Sequence, residues 1–388
     1  MKLRDRHKKY LKALGITSLA FVLSQILLSP LTFSAATMIS SPDRGDFTIN
    51  DFYCHVADKR AVRTLDRDVV IVDIGDLDRD GIAEVIETLS FCSPKAVGVD
   101  VLFAEPREDD SRIINALRSC PNIVMAVSVK PDTDHQDMYT YDLQSFLMDS
   151  ISTGTAVGAT NFPTTEGDRT IREFRPYFPG VTDTIDSFAL AIARIASPSS
   201  ATVIDERGNS EEVINFCSRT YNIYNPDELI ENADQITGKI VLLGSLNHRE
   251  DMHTTPVKSA MTGVMIHAHT LSTILSETYF YKLGQWWNWA IAFLSCFTVI
   301  ALSMFIPTKI KSMTMRVFQL LLLYVTIRYG YELFINYNII ANFSYSLLMI
   351  TFGLLANDFW TGAEGCTVWI RDKITGLKLR KLRFPAIR

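Results

Sequence analysis

The sequence predicts an α/β exported domain with a mostly parallel sheet and flanking helices, joined to four transmembrane helices, one amino-terminal and three carboxyl-terminal. Three observations predict it: buried-strand and amphipathic-helix patterns alternate from residue 69 onward, four long segments lack net polarity, and the charge divides between them. With 47% hydrophobic residues and a mean hydropathy of +0.12, part of the chain suits lipid better than water.

The segment "LGITSLAFVLSQILLSPLTF" (14–33) carries no charge over about the 20 residues that a bilayer core requires. Its length favours a retained anchor; a signal peptide cleaved near Ser34-Ala35-Ala36 is the alternative. Next come "VVIVDI" (69–74), a β-branched run of the fully buried kind, and a helix that aligns Ile82, Val85, Ile86 and Leu89. "AVGVDVLF" (96–103), a helix carrying Ile113, Ile114 and Leu117, and "NIVMAVSV" (122–129) repeat the unit. Strand, helix, strand at this spacing implies right-handed crossovers and a parallel sheet. "GTAVGATNF" (154–162) and "TIREFRPYFPG" (170–180) read as strands, "DSFALAIARIA" (186–196) as an apolar helix, and "ATVIDERGNSEEVINF" (201–216) as a hairpin around "ERGN". "GKIVLLGS" (238–245) is a further buried strand and "TGVMIHAHTLSTILSET" (262–278) a helix. Segments 286–307, 317–336 and 339–360 read as the remaining spans.

This gives a basic end and anchor (1–33), an exported domain (34–284), a three-helix transmembrane bundle (285–360) and a short basic tail (361–388). Lysine and arginine flank the spans at Lys2–Lys12, Lys309–Arg316 and Arg371–Arg388, so both termini are expected to be cytoplasmic, with 34–284 periplasmic or extracellular. That middle region holds 38 Asp and Glu against 21 Lys and Arg. Such an acidic domain repels nucleic acid and anionic lipid, and suits cationic ligands or a plain solvated exterior.

The stretch "DLDRDGIAEVIE" (76–87) fills each fixed position of the calcium-loop pattern. An EF-hand needs a helix on both sides, and here a strand precedes, so Asp78 or Asp80 is expected to cap a helix instead, with a calcium site made by Asp76, Asp78 and Asp80 alone as the alternative. Six cysteines occur without C-x-x-C spacing, which argues against a zinc or thioredoxin-like site. Cys92 and Cys120 each stand before a strand and form a disulfide candidate, with two free buried thiols as the alternative. In the third span, Arg328 and Glu332 sit one turn apart and are expected to pair inside the hydrocarbon, facing the other spans or lying near the outer interface.

Six stretches occur in order: "VVIVDIGD", "KAVGVDVLFAEPREDD", "GATNFPTTEGDRTIREFRP", "SFALAIAR", "GKIVLLGSLNHREDMHTTP" and "TGVMIHAHTLSTIL". Together, over roughly residues 45–360, they resemble the type-two CHASE domain, a sensory extracellular module associated with cyclases and histidine kinases. "GDLDRDG" is shorter than the corresponding family segment, and the chain ends 28 residues after its last apolar segment, without the cytoplasmic kinase, cyclase or phosphodiesterase that family members commonly carry. The resemblance implies a cell (inner) membrane sensor that binds an unknown ligand or partner, contacts membrane lipids, and signals to a separate membrane or cytoplasmic protein, with a homodimer as one arrangement. A scaffold subunit of an envelope complex and a tethered hydrolase are the alternatives.

Open parallel sheets bind ligands beyond the carboxyl ends of their strands. Asp76, Asp100, Asn247, Arg249, Asp251 and His267 fall there, and all but Arg249 match family motif positions. They form the candidate polar pocket; capping and core hydrogen bonding are the structural alternative. Ser245, His248 and Asp251 match no hydrolase motif, so neither catalysis nor a cofactor is expected.

Overall fold

The computed structural model describes residues 2–27, 48–103, 105–108, 110–143, 156–164, 169–181, 183–306 and 311–381. These form two compact units, one comprising Gly45–Phe280 and the other the two ends of the chain.

Within Gly45–Phe280 the main elements run α1 (Ile49–Arg60), β1 (Thr64–Asp73), α2 (Arg79–Cys92), β2 (Ala96–Val99), α3 (Asp110–Ser119), β3 (Ile123–Pro131), β4 (Tyr139–Leu143) and β5 (Ala156–Ala159). They continue with α4 (Phe188–Ala196), α5 (Pro198–Arg207), β6 (Arg219–Tyr224), β7 (Ile240–Gly244) and α6 (Gly263–Leu275). The sheet order is β6-β1-β7-β2-β3-β4, with β5 also on β3. Every pairing is parallel except β3 with β4.

The β-branched runs are buried on both faces because each has a helical layer on either side. Val70, Val72, Val97, Val99, Val241 and Leu243 face Ile82, Val85, Ile86 and Leu89 of α2 and Ile113 and Leu117 of α3. On the other face α4 sits close to the strands, which two glycines permit. A Cβ on Gly158 would come 2.4 Å from the Phe188 Cα, and one on Gly98 would come 2.4 Å from the Ile192 Cδ1.

The acidic stretch after β1 is a strand–turn–helix. Asp78 is the N-cap of α2, its Oδ1 accepting from the Gly81 amide at 2.9 Å, and Glu87 lies on the helix paired with Arg112 at 3.2 Å.

Three expectations are corrected. Residues 201–216 do not form a hairpin: Pro198 opens α5 at its first turn, and Gly208, at φ +60°, ends it. Residues 170–180 form two short strands, Glu173–Phe174 and Tyr177–Pro179, interrupted at Pro176, which lacks the amide a continuous ladder needs. Cys92 and Cys120 do not join although β2 and β3 are neighbours. Both thiols are free and buried, Cys92 turned toward the Leu229 carbonyl at 3.9 Å and Cys120 toward the Pro121 carbonyl at 3.8 Å.

In the other unit, the helices Lys2–Leu27, Gln285–Ser303 and Ser344–Lys381 pack through Ala13, Ile16, Ala20, Ala292, Cys296, Ile300 and Met349. Among the described residues, Gln285–Ser303 is the one helix long and apolar enough to cross a membrane. The segment 317–336 lies within the helix Lys311–Tyr337, where Arg328 and Glu332 dilute its hydropathy. The last apolar segment opens on a short strand, Ile339–Ile340, before its helix begins at Ser344, and residues 28–33 of the first segment lie outside the described residues. Arg328 and Glu332 form an ion pair with side chains 50% and 36% exposed, so the pair does not face into the packing of its own unit.

Candidate functional site

Beyond the carboxyl ends of β1, β2, β5 and β7 lies a cleft of about 640 Å³. Its apolar wall includes Ile74, Leu77, Ile82, Leu102, Phe162 and Ile171, and its polar groups include Asp100, Asn161, Ser245, His248, Asp251, His253 and His267.

Asp100 is the first residue past β2, and its amide donates to the Leu243 carbonyl at 2.8 Å, extending the pairing with β7 by one bond. This bond fixes the backbone while leaving the side chain directed at the cleft. The carboxyl has no hydrogen-bond partner among the described residues. Burial, reinforced by the neighbouring Asp251 carboxylate and opposed by His253, pushes Asp100 up to about 7.

Asp251 is held on two sides. Its Oδ2 accepts from the Gly263 amide at 2.8 Å, at the positive amino-terminal end of α6, and its Oδ1 lies 3.3 Å from the His253 Nε2. Only glycine allows this approach, since a Cβ on residue 263 would come 2.6 Å from the Asp251 Oδ1. His267, one turn further along α6, stacks on Phe162 with ring centres 4.7 Å apart and meets the edge of Phe188 at 5.1 Å. Burial pushes its imidazole down to about 3, with Asp251 opposing and His253 adding to the shift, so His267 is a neutral stacking group at neutral pH.

Of the six residues expected in the pocket, the fold brings Asp100, Asp251 and His267 together. Asp76 is exposed on the turn after β1. The structural work there falls to Asp73, whose Oδ1 accepts from the amides of Gly75 (3.0 Å) and Leu246 (2.9 Å) and ties the ends of β1 and β7 together. Asn247 and Arg249 are also exposed and do not line the cleft; a short helical turn over Arg249–Asp251 carries Asp251 inward instead. Ser245, His248 and Asp251 do share the cleft, but the histidine against Asp251 is His253, and the Ser245 Oγ accepts from the Asn247 amide at 3.4 Å.

Sequence reasoning missed Asn161 and His253. Asn161 continues β5 as a mimic of backbone, its Oδ1 accepting from the Val129 amide at 2.7 Å and its Nδ2 donating to the Val129 carbonyl at 2.9 Å. The signal was available: Asn161 follows a strand end, as Asp100 does. A neighbouring cavity of about 420 Å³ shares Asn161 and Phe162. Its arginines are already engaged, Arg172 with Asp51 and Arg175 with Glu211, each at 2.8 Å.

A model of the CHASE2 domain matches residues 35–304, most of the chain. No curated protein and no solved structure matches it.

Proposed function

Because the chain belongs to the CHASE2 family, whose domains are sensory and extracellular, we propose that it is a non-enzymatic, membrane-anchored sensor. In this reading its strand-end cleft binds a small cationic or zwitterionic molecule. Its apolar helices pass the change to a signalling partner in the membrane or cytoplasm, or to a second copy of the chain. The observation that carries the reading is the carboxyl of Asp100, which lines the cleft, is partly buried and is left without a hydrogen bond among the described residues. An ammonium group would supply both the charge and the donors that this carboxylate lacks. The acidic excess of residues 34–284 raises the local concentration of such ligands.

The binding test uses the full chain in detergent and a panel of free amino acids, polyamines and quaternary ammonium compounds. A binder at about a hundred times its dissociation constant should raise the thermal midpoint by roughly 5–10 °C. A flat response across the panel would count against a cation site.

For topology, the reading places four passes in the membrane, with 34–284 outside and both ends cytoplasmic. Reporter fusions after Gly180 and at Arg388 should respond as outside and inside respectively. The reverse pattern would remove the basis of the sensor reading.

A further inference from the structure

Two cysteines that sequence spacing did not pair meet in the fold. The Sγ atoms of Cys54 and Cys217 lie 3.7 Å apart, although 163 residues separate them. Cys54 is buried on α1, and Cys217 lies in the loop that leads into β6, with Phe216 buried before it and Ser218 at φ +64° after it.

The contact is framed on both sides. Asp51, Cys54 and Asp58 share one face of α1, at helical spacings of three and four residues. Asp51 takes a two-pronged pair from Arg172, with both nitrogens at 2.8 Å, and Asp58 accepts from the Ser218 amide at 3.3 Å. The loop is fixed independently: the Cys217 amide donates to the Asn215 Oδ1 at 3.1 Å, and the Thr64 amide donates to the Ser218 carbonyl at 2.8 Å. Helix and loop are therefore held face to face before any bond forms, and the sulfurs need close by less than about 2 Å to reach bonding distance.

We infer that Cys54 and Cys217 are a disulfide site that fastens the first helix of the domain to the β6 edge of its sheet. The inference rests on the extracytoplasmic placement proposed above, because disulfides form and persist in oxidising compartments. The oxidant is a disulfide, either of an oxidoreductase protein or of a small molecule such as glutathione disulfide. The thiolate of Cys217, the more accessible of the two, attacks it and expels one thiol. The thiolate of Cys54 then attacks the mixed disulfide and expels the second. One intramolecular S–S bond forms and the oxidant's S–S bond breaks; two electrons and two protons leave with the oxidant's thiols. The contact with Cys217, together with burial, holds the Cys54 thiol well above its ordinary range, which leaves the first attack to Cys217. Cys92 and Cys120, each turned to a backbone carbonyl, stay out of the exchange.

The experiment takes the full wild-type chain from membranes, denatured in N-ethylmaleimide without reductant and digested for mass spectrometry. The expected result is a linked pair of peptides containing Cys54 and Cys217, with Cys92 and Cys120 alkylated. Reductant should also lower the wild-type thermal midpoint by about 10 °C, as expected for a link closing so long a loop, and leave a Cys54→Ser/Cys217→Ser chain unmoved. Alkylated Cys54 and Cys217 in the wild type would overturn the inference. The reporter after Gly180 distinguishes the two failures: read as outside, the disulfide alone is wrong; read as inside, the placement is wrong as well.

Discussion

Asp51→Ala should lower the thermal midpoint of the full chain by about 10 °C, the equivalent of roughly 3–5 kcal/mol for breaking a buried ion pair. Asp51 is 2% exposed and accepts two parallel bonds from Arg172, which makes it unlike a surface pair worth under about 1 kcal/mol. The same carboxylate completes the cap of α1: the Thr48 amide donates to its Oδ2 at 2.6 Å, and the Thr48 Oγ1 accepts from the Asp51 amide at 3.3 Å. One substitution therefore removes a charge partner and half of a capping box. Asp51→Asn separates the two, because an amide oxygen still accepts from Thr48 while the charge on Arg172 loses its partner here. Its midpoint should fall between those of wild type and Asp51→Ala. A fall of less than about 2 °C for Asp51→Ala would mean that the pair only balances its own desolvation.

How much of this was legible in the sequence follows from the range of the interactions. The strands at 69–74, 96–103 and 238–245 and the helices behind Ile82 and Ile192 announce themselves through local periodicity, and they stand where periodicity puts them, except that the second strand ends at Val99. The insertion of β7 between β1 and β2 was not legible, because strand order is set by packing between segments far apart in the chain. Helix α1 and strand β6 are polar and mixed in pattern, and their burial comes from partners such as Arg172 and Cys217. At the site, the strand-end rule located Asp100, and the loop after β7 contained Asp251. Which polar side chain of such a loop turns inward depends on a single tight turn. That turn exposes Asn247 and Arg249, and it presents His253 where His248 was the histidine weighed. Cys92 and Cys120 show the limit of the strand-edge argument: neighbouring strands bring the backbones together, but the helix end that carries Cys92 aims its thiol at Leu229.

Asp100→Asn should make the protein more stable at pH 8 and no different at pH 4. A carboxyl that titrates at about 7 in the folded chain and near 3.8 when unfolded holds its proton more tightly in the native state. Its contribution is fully present below pH 3.8 and is lost as pH rises to about 7, because the unfolded chain then ionises freely while the native one resists. By pH 8 the wild type bears the cost of a half-buried, unpaired carboxylate, at most about 4 kcal/mol. The asparagine amide has the same shape and no charge, so the midpoint of Asp100→Asn should exceed that of wild type by about 10 °C at pH 8, with the gap closing in acid. His267 works in the opposite direction in both proteins. Its imidazole stays neutral down to about 3 when folded, so stability falls as pH drops below 6.5 and the unfolded chain takes up the proton. Comparing the two proteins at each pH cancels that shared loss and isolates Asp100. A site that lowers the stability of its own fold has the signature of a binding group held ready for a partner. The same variant should therefore lose its thermal response to every cationic compound that protects the wild type. If Asp100→Asn proves less stable than wild type at pH 8, the carboxylate already has a compensating partner within the protein, and the cleft's claim on a cation falls with it.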